Sequence, residues 1–127
     1  MPVNETSLEG LKLLLVEDNR DVADLMALSL GATGADVVCA FNGAEAIAQA
    51  VDGGFHAVII DLGLPDMDGR SVAAELRAGG TDARLIALSG FDYDSDDRIG
   101  ELFDAYLQKP VGAAEIVRVL VAFGERS

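Results

Sequence analysis

Short apolar runs alternate with segments of helical spacing along most of the chain. The runs are apolar almost throughout, which is typical of strands buried on both faces rather than of half-exposed strands. Five such runs are predicted as strands: 12–16, 37–40, 57–60, 85–88 and 105–108. The segments between them place apolar residues three and four positions apart, as amphipathic helices do. Four of these segments are predicted as helices: 22–29, 44–51, 72–78 and 113–123.

The segment before the last strand gives the weakest helix prediction. It spans 94–102 and carries four acidic residues and Gly100, so its helix propensity is poor. Even so, five strand–helix repeats predict a doubly wound α/β fold, in which a parallel sheet carries helices on both faces. The 127 residues fit a single domain, which we expect to span 10–124 behind an N-terminal tail at 1–9.

Charged or hydroxyl residues directly follow four of the predicted strands. Glu17 and Asp18 follow the first strand, Asp61 the third, Ser89 the fourth and Lys109 the fifth. In open parallel sheets, ligands bind beyond the carboxyl ends of the strands. We therefore expect these five side chains to converge on one site.

Two of these carboxylates, those of Asp18 and Asp61, should lie within a few ångströms of each other. At about 4 Å they would repel by roughly 4 kcal/mol at an effective dielectric near 20. Such a pair needs a cation or a raised pKa, and an all-oxygen ligand set favours Mg²⁺, with Mn²⁺ able to substitute. A single acid could instead cap a helix, as Asp18 or Asn19 could for the first one. Three acids converging with a lysine favour the metal site.

The composition excludes several classes of function. There are 22 acidic and 9 basic residues, a formal charge of −13, so we expect no direct binding to nucleic acid and no binding to anionic membranes. No apolar run approaches the roughly 20 residues that span a bilayer, and the N-terminus does not resemble a secretory signal. The single cysteine, Cys39, excludes a disulfide framework and is expected to be a buried, reduced thiol in a cytoplasmic protein.

Four short motifs, each at the end of a predicted strand, resemble those of one protein family. They are LLVEDN at 14–19, DLGLPDMDG at 61–69, LSG at 88–90 and YLQKP at 106–110. With these motifs the chain resembles the receiver domain of two-component response regulators over about residues 11–123. The resemblance implies a flavodoxin-like (βα)5 sandwich whose five-stranded parallel sheet has the order 2-1-3-4-5.

The resemblance also implies the chemistry of the acidic residues. Asp61 would be the phosphoacceptor, attacking phosphorus as a carboxylate nucleophile. Asp18 and Asp61 would bind Mg²⁺ directly, and the backbone carbonyl of Gly63 would be a third protein ligand. Glu17, which stands where many receivers have aspartate, would act through a metal-bound water.

Three further residues receive roles from the resemblance. Lys109 would supply positive charge to the phosphoryl group, and Ser89 would donate a hydrogen bond to it. Ser89 and Tyr106 would form a switch that alters the face made by the fourth helix, fifth strand and fifth helix, where a downstream protein or domain would bind. Tyr106 could alternatively be a half-buried core residue. The bond before Pro110 would be cis, or else trans at the start of the last helix.

The resemblance places the phosphodonor on another protein. It would be a histidine of a histidine kinase or of a histidine phosphotransfer protein, because the only histidine, His56, is expected in a loop or at a strand edge. The chain would promote its own phosphorylation and dephosphorylation without turning over a separate substrate, so it would not be an enzyme in the usual sense. We expect either a stand-alone receiver or one cut from a hybrid histidine kinase.

Other classes of function fit the sequence less well. A calcium-binding loop would need an acid where Leu64 stands. A flavodoxin-type FMN module would need a phosphate-binding loop where Glu17 and Asp18 stand, and an aspartyl phosphatase would need a second acid where Gly63 stands. A degenerate receiver, acting only through protein–protein contacts, is the remaining alternative, and the complete set of site residues argues against it.

Overall fold

The structure is a computed structural model that describes residues 7–90 and 98–126 of the chain. The predicted tail at 1–9 and the weak helix at 94–102 therefore lie partly outside the described residues. Strands and helices alternate in the order β1 (Lys12–Val16), α1 (Arg20–Gly31), β2 (Asp36–Ala40), α2 (Gly43–Gly53), β3 (Ala57–Asp61), α3 (Gly69–Ala78), β4 (Arg84–Ser89), α4 (Arg98–Leu102), β5 (Ala105–Gln108) and α5 (Ala113–Arg126).

All five strands form one sheet, in the order β2-β1-β3-β4-β5, and every neighbouring pair is parallel. The predicted fold class and strand order are confirmed. The register aligns the carboxyl ends of the strands, since Val16 pairs with Ile60 and Asp61 pairs with Leu88. The residues that follow these strands are therefore brought to one edge of the sheet.

Each face of the sheet has its own hydrophobic core, as expected for strands covered on both sides. In β1, Leu14 and Val16 belong to the core packed against α2, α3 and α4, whereas Leu13 and Leu15 belong to the core packed against α1 and α5. All four side chains are at most 1% exposed. The helices on both faces hold the strands, and hence their carboxyl ends, in fixed positions.

Helix caps explain where the observed helices begin earlier than predicted. Asn19 caps α1 by accepting the N–H groups of Asp21 and Val22, so Asn19 rather than Asp18 is the cap residue. The side chains of Asn42 and Asp68 cap α2 and α3 in the same way. Apolar periodicity indicates only the buried face of a helix, so it does not detect first turns that begin at a polar cap residue.

Three minor predictions can be compared with the structure. Cys39 is a free thiol but is only partly buried, and burial, with a smaller contribution from the charge of Asp24, raises its pKa. His56 lies before β3, and its Nδ1 accepts the backbone N–H of Lys12 at 3.0 Å, which confirms a structural position. Within 7–90 and 98–126, no helix has the length and apolar character needed to cross a bilayer.

Candidate acidic site at the carboxyl edge of the sheet

Three carboxylates converge beyond the ends of β1 and β3. Glu17 and Asp18 directly follow β1, and Asp61 is the last residue of β3. One oxygen from each of the three lies within 4.8 Å of the others. Glu17 and Asp61 are buried, at 5% and 6% exposure, whereas Asp18 faces solvent. The predicted convergence of these acids is present in the structure.

Lys109 reaches into this acidic cluster from the end of β5. Its Nζ lies 2.6 Å from Oδ2 of Asp61 and 3.8 Å from Oε2 of Glu17. Its backbone N–H donates to the carbonyl of Ser89 at 2.7 Å, and the Lys109–Pro110 peptide bond is cis, as the resemblance implied. The Gly63 N–H donates to Oδ1 of Asp61 at 2.9 Å. Both oxygens of the Asp61 carboxylate are therefore held by donors.

These contacts determine the ionisation of the cluster without a cation. Burial, followed by the neighbouring Asp61 carboxylate, raises the pKa of Glu17 to about 8. Burial alone would raise the pKa of Asp61, but Glu17, Lys109 and the Gly63 N–H outweigh it and lower that pKa. Burial would lower the pKa of Lys109, but the Asp61 carboxylate raises it. Asp61 and Lys109 thus form an ion pair, whereas burial beside the Asp61 carboxylate favours the protonated form of Glu17.

The side chains present fit a hard divalent cation. Oε2 of Glu17 is buried and has no hydrogen-bond partner among the described residues, which is costly for a carboxylate oxygen. A cation among the oxygens of Glu17, Asp18 and Asp61 would supply the missing partner and relieve their mutual repulsion. Carboxylate oxygens are the ligands that Mg²⁺ prefers. Gly63 borders the cluster through its N–H, which donates to Oδ1 of Asp61.

Ser89 and Tyr106 lie on the neighbouring strands β4 and β5. Ser89 ends β4, is 4% exposed, and lines a cavity of about 620 Å³ together with Asp61 and Lys109. Tyr106 is partly buried and packs against the core on the side of α2, α3 and α4. The structure thus places Ser89 at the acidic site and Tyr106 against the neighbouring core.

This geometry agrees with the comparison against protein families. Residues 13–121 match the model of the response regulator receiver domain. The chain belongs to this family. It is 34% identical to the transcriptional regulatory protein PrrA of Mycobacterium tuberculosis over 116 residues, which cover 89% of this chain and 49% of the relative. The receiver therefore spans about half the length of that curated relative.

Two solved receivers combine the same fold with ligands. One is the receiver domain of a sensor histidine kinase from Pseudomonas aeruginosa PAO1, solved with a magnesium ion coordinated in its active site cleft. It is 34% identical to this chain, with a TM-score of 0.72, and the match covers 87% of this chain and 94% of that chain. The response regulator protein TrrA from Thermotoga maritima, in complex with Mg²⁺ and BeF, is 29% identical, with a TM-score of 0.79 and coverage of 87% and 96%. The acidic cluster of the present receiver could likewise hold a metal ion.

The loop between β3 and α3 holds the acidic site in place. The Asp66 carboxylate accepts the N–H groups of Gly43 and Ala44 at 2.7 and 3.0 Å, and these two hydrogen bonds lower its pKa. At the end of the loop, a Cβ on Gly69 would lie 2.6 Å from the backbone oxygen of Asp61. Glycine is thus required at 69, because α3 begins in direct contact with the end of β3.

Sequence reasoning missed two residues that line the cavity of the receiver. Asp68 caps α3, Arg70 lies in the first turn of the same helix, and both border the cavity that contains Asp61. Nη1 of Arg70 lies 3.1 and 3.2 Å from the two Asp68 oxygens. Asp68 lies within the DLGLPDMDG motif and Arg70 directly follows it, which was the available signal, but apolar periodicity does not indicate which way a polar side chain at the start of a helix points.

Proposed function

We propose that this receiver domain is a phosphoacceptor, which takes a phosphoryl group from a histidine of another protein onto Asp61 in a Mg²⁺-dependent reaction. The observation that carries the proposal is the way the Asp61 carboxylate is held. Lys109 Nζ lies 2.6 Å from one oxygen, and the Gly63 N–H donates to the other at 2.9 Å. A carboxylate that stays ionised and fixed in position is suited to in-line attack on phosphorus.

The proposed reaction exchanges one bond to phosphorus for another. An oxygen of Asp61 forms a bond to phosphorus while the bond between phosphorus and the donor histidine nitrogen breaks. The bonding electron pair leaves with the imidazole, whose other nitrogen carries a proton. The product is an aspartyl phosphate in which the charge of Asp61 is replaced by that of the phosphoryl oxygens.

The acidic cluster would hold Mg²⁺ through Asp18 and Asp61, with Glu17 acting through water and the carbonyl of Gly63 as a further ligand. Mn²⁺ would substitute, because it accepts the same oxygen ligands. The bound ion would neutralise charge on the phosphoryl oxygens. Two observations support this assignment: the three carboxylates converge, and Oε2 of Glu17 has no hydrogen-bond partner in the described part of the chain.

Lys109 and Ser89 are the proposed partners of the transferred group. Lys109 carries a compact positive charge against Asp61, so on transfer it can pair with a phosphoryl oxygen instead. Ser89 lines the same cavity and has a hydroxyl that can donate to another oxygen. Charge neutralisation and positioning, rather than further covalent steps, would be the contribution of both residues.

The phosphoryl signal is proposed to reach the surface through Ser89 and Tyr106. The two residues lie on paired strands, where Ala87 faces Tyr106 and Ser89 faces Gln108. Tyr106 packs with Ile99 of α4 in one core. A shift of Ser89 toward the phosphoryl group, followed by Tyr106, would alter the face formed by α4, β5 and α5 and thus the binding of a downstream protein.

An apolar stripe beside the site supports a protein as phosphodonor. Val22, Leu25 and Leu28 on α1 are 45%, 67% and 73% exposed, which is unusual for large apolar side chains grouped on one helix. Val22 also lines an apolar groove of about 430 Å³ whose wall includes Glu17 and Lys109. A protein docked on this stripe would therefore be next to Asp61, as a histidine kinase or histidine phosphotransfer protein must be.

The wider setting of the receiver is also a proposal. Relatives of equal identity, 34%, include a transcriptional regulatory protein and the receiver of a sensor histidine kinase, so both a stand-alone receiver and a part of a hybrid kinase are consistent with them. We place the domain, over 10–124, in the cytoplasm, without direct contact to nucleic acid because of its charge of −13. It would catalyse only its own phosphorylation and dephosphorylation.

Beryllofluoride, which mimics a phosphoryl group on a carboxylate, tests the proposal. We expect it to shift the amide resonances of Gly63, Ser89 and Lys109 in ¹H–¹⁵N spectra only when Mg²⁺ is present. Asp61→Asn, a nearly isosteric control, should abolish the shifts. A wild-type protein that does not respond, or a response that persists in Asp61→Asn, would favour the degenerate interaction module instead.

A further inference from the structure

Arg70 is a second cation in the wall of the cavity that contains Asp61. It follows Gly69 at the start of α3, and its side chain is 26% exposed. Nη1 is held 3.1 Å from Oδ1 and 3.2 Å from Oδ2 of Asp68, which lines the same cavity of about 620 Å³. The guanidinium is thus anchored at the rim of the cavity by a neighbour that is itself the α3 cap.

We infer that Arg70 recruits anionic phosphodonors to Asp61 and favours those with the larger negative charge, small acyl phosphates in particular. This inference rests on the proposed function, because it concerns the same transfer to Asp61. Arginine binds phosphate through paired N–H groups, which makes it well suited to holding an incoming phosphoryl group.

The charge of the cavity explains why a second cation matters. Among its described lining residues, four carboxylates face two cations, namely Glu17, Asp18, Asp61 and Asp68 against Lys109 and Arg70. With all of these ionised, one bound divalent cation would balance the charge. Without Arg70 the cavity would be negative even when the cation is bound, and it would repel a dianionic donor.

Gly63 makes the contribution of Arg70 larger than it would otherwise be. A Cβ on Gly63 would lie 3.7 Å from Oδ1 of Asp61 and, apart from its chain neighbours, would come within 4 Å of no other described atom. A side chain at 63 would therefore cover the approach to Asp61. Glycine leaves this approach open, and the cavity that contains Asp61 also includes Arg70 at the start of α3.

The competing explanation is that Arg70 only supports the cap of α3. Oδ1 of Asp68 accepts the Arg70 backbone N–H at 2.8 Å in addition to the contact with its guanidinium. In that case, loss of the guanidinium would change stability, and any effect on phosphorylation would be equal for all donors. The two explanations therefore differ in donor selectivity.

The experiment compares two small donors of different charge in the presence of Mg²⁺. With acetyl phosphate, a bond forms between Asp61 and phosphorus, the acyl oxygen–phosphorus bond breaks, and acetate leaves with the electron pair. Phosphoramidate transfers the same group: its nitrogen–phosphorus bond breaks and ammonia leaves with the electron pair. It carries a smaller net negative charge than acetyl phosphate, because its nitrogen is protonated. Initial rates are followed by intact mass for wild type, Arg70→Gln and Arg70→Lys, over a range of donor and salt concentrations.

We expect Arg70→Gln to lower the rate with acetyl phosphate by roughly 3- to 10-fold at low salt, mainly through a higher KM, and the loss to shrink as salt is added. The loss with phosphoramidate should be smaller, and Arg70→Lys should recover much of the rate. Arg118→Gln removes the same charge at an exposed position of α5 outside the cavity and should behave as wild type.

A second variant tests the charge in the opposite direction. Asp68→Asn keeps a good helix cap but removes one carboxylate, so the rate with acetyl phosphate should rise. Equal losses with both donors in Arg70→Gln, or rates equal to those of Arg118→Gln, would overturn the inference while leaving Asp61 as acceptor intact. Absence of phosphorylation in the wild type by either donor would also overturn the inference if beryllofluoride still binds with Mg²⁺. Absence of both phosphorylation and beryllofluoride binding would overturn the proposed function itself.

Discussion

Lys109 and Asp61 form the shortest ion pair among the described residues, with 2.6 Å between Nζ and Oδ2. The two residues are 48 positions apart and belong to the ends of β3 and β5, which are separated in the sheet by β4. The ion pair therefore reaches across the carboxyl end of β4. It depends on the parallel register that aligns the carboxyl ends of all three strands.

Removing the positive charge of this pair should abolish most of the phosphoacceptor activity. In Lys109→Ala we expect the rate of phosphorylation by acetyl phosphate to fall by about 100-fold or more, because the ammonium group that pairs with Asp61 is no longer there to receive a phosphoryl oxygen. Lys109→Arg should retain part of the rate. Time courses of intact mass measure both, and a rate for Lys109→Ala within about threefold of wild type would contradict the role assigned to Lys109.

Glu17 should make the metal-free receiver less stable at alkaline pH. Its pKa is raised by burial to about 8 from the usual 4.5, so between these values the folded protein binds a proton that the unfolded chain releases. The free energy of unfolding should therefore decrease as pH rises from about 5 to 8. Urea unfolding in the presence of a chelator measures this dependence.

Two controls identify Glu17 as the origin of that dependence. Glu17→Gln cannot ionise, so its stability should vary less with pH over the same window. Adding Mg²⁺ should stabilise the wild type most at the alkaline end, where the carboxylate is already deprotonated. A wild-type stability that stays constant or rises between pH 5 and 8 would contradict the proton assigned to Glu17.

Gly69 should not tolerate even one added methyl group. In Gly69→Ala the Cβ would lie 2.6 Å from the backbone oxygen of Asp61 and 2.7 Å from Cα of Leu62. We expect a loss of about 1–3 kcal/mol in stability, together with slower phosphorylation because Asp61 is displaced. Chemical unfolding and the acetyl phosphate assay measure the two effects.

Gly100 provides the matched control for that substitution. It lies in α4, where a Cβ would come within 4 Å of no other segment of the described chain. Gly100→Ala should therefore increase stability by about 0.5–1 kcal/mol, because alanine has the higher helix propensity. Similar effects of the two substitutions would mean that the contact between α3 and the end of β3 is not as close as described.

The apolar stripe on α1 should matter for protein donors and not for small ones. Leu25→Asp places a charge on the exposed stripe, and we expect it to slow phosphotransfer by roughly tenfold or more from the most active member of a panel of phosphorylated histidine phosphotransfer domains. Phosphorylation by acetyl phosphate should be unchanged. Val51→Asp, at an exposed apolar position of α2, is the control. Equal losses in both variants would contradict a docking role for α1.

Much of this fold was predictable because it follows from burial. The strands of a doubly wound sheet are apolar on both faces, so their positions could be read directly, and the runs ending before Glu17, Asp61 and Ser89 located the site. Helix starts were less accurate, because caps such as Asn19 and Asp68 are polar and fall outside the apolar pattern. The first three predicted helices therefore begin too late, but the predicted strands and their order in the sheet are not affected.

The details of the site depended on three-dimensional contacts that no local pattern encodes. The sequence does not indicate that Oε2 of Glu17 has no hydrogen-bond partner within residues 7–90 and 98–126, or that burial and Asp61 together raise the pKa of Glu17. The sequence also does not indicate that Arg70 lines the cavity that contains Asp61. This position results from the way α3 begins in contact with the end of β3. Such contacts arise from packing between distant segments.

The most direct test of the central claim is the intact mass of the protein after incubation with acetyl phosphate, with and without Mg²⁺. The account predicts a gain of one phosphoryl group that requires Mg²⁺ and is absent in Asp61→Asn. Retention of the gain in Asp61→Asn, or no gain in the wild type together with no Mg²⁺-dependent binding of beryllofluoride, would contradict it.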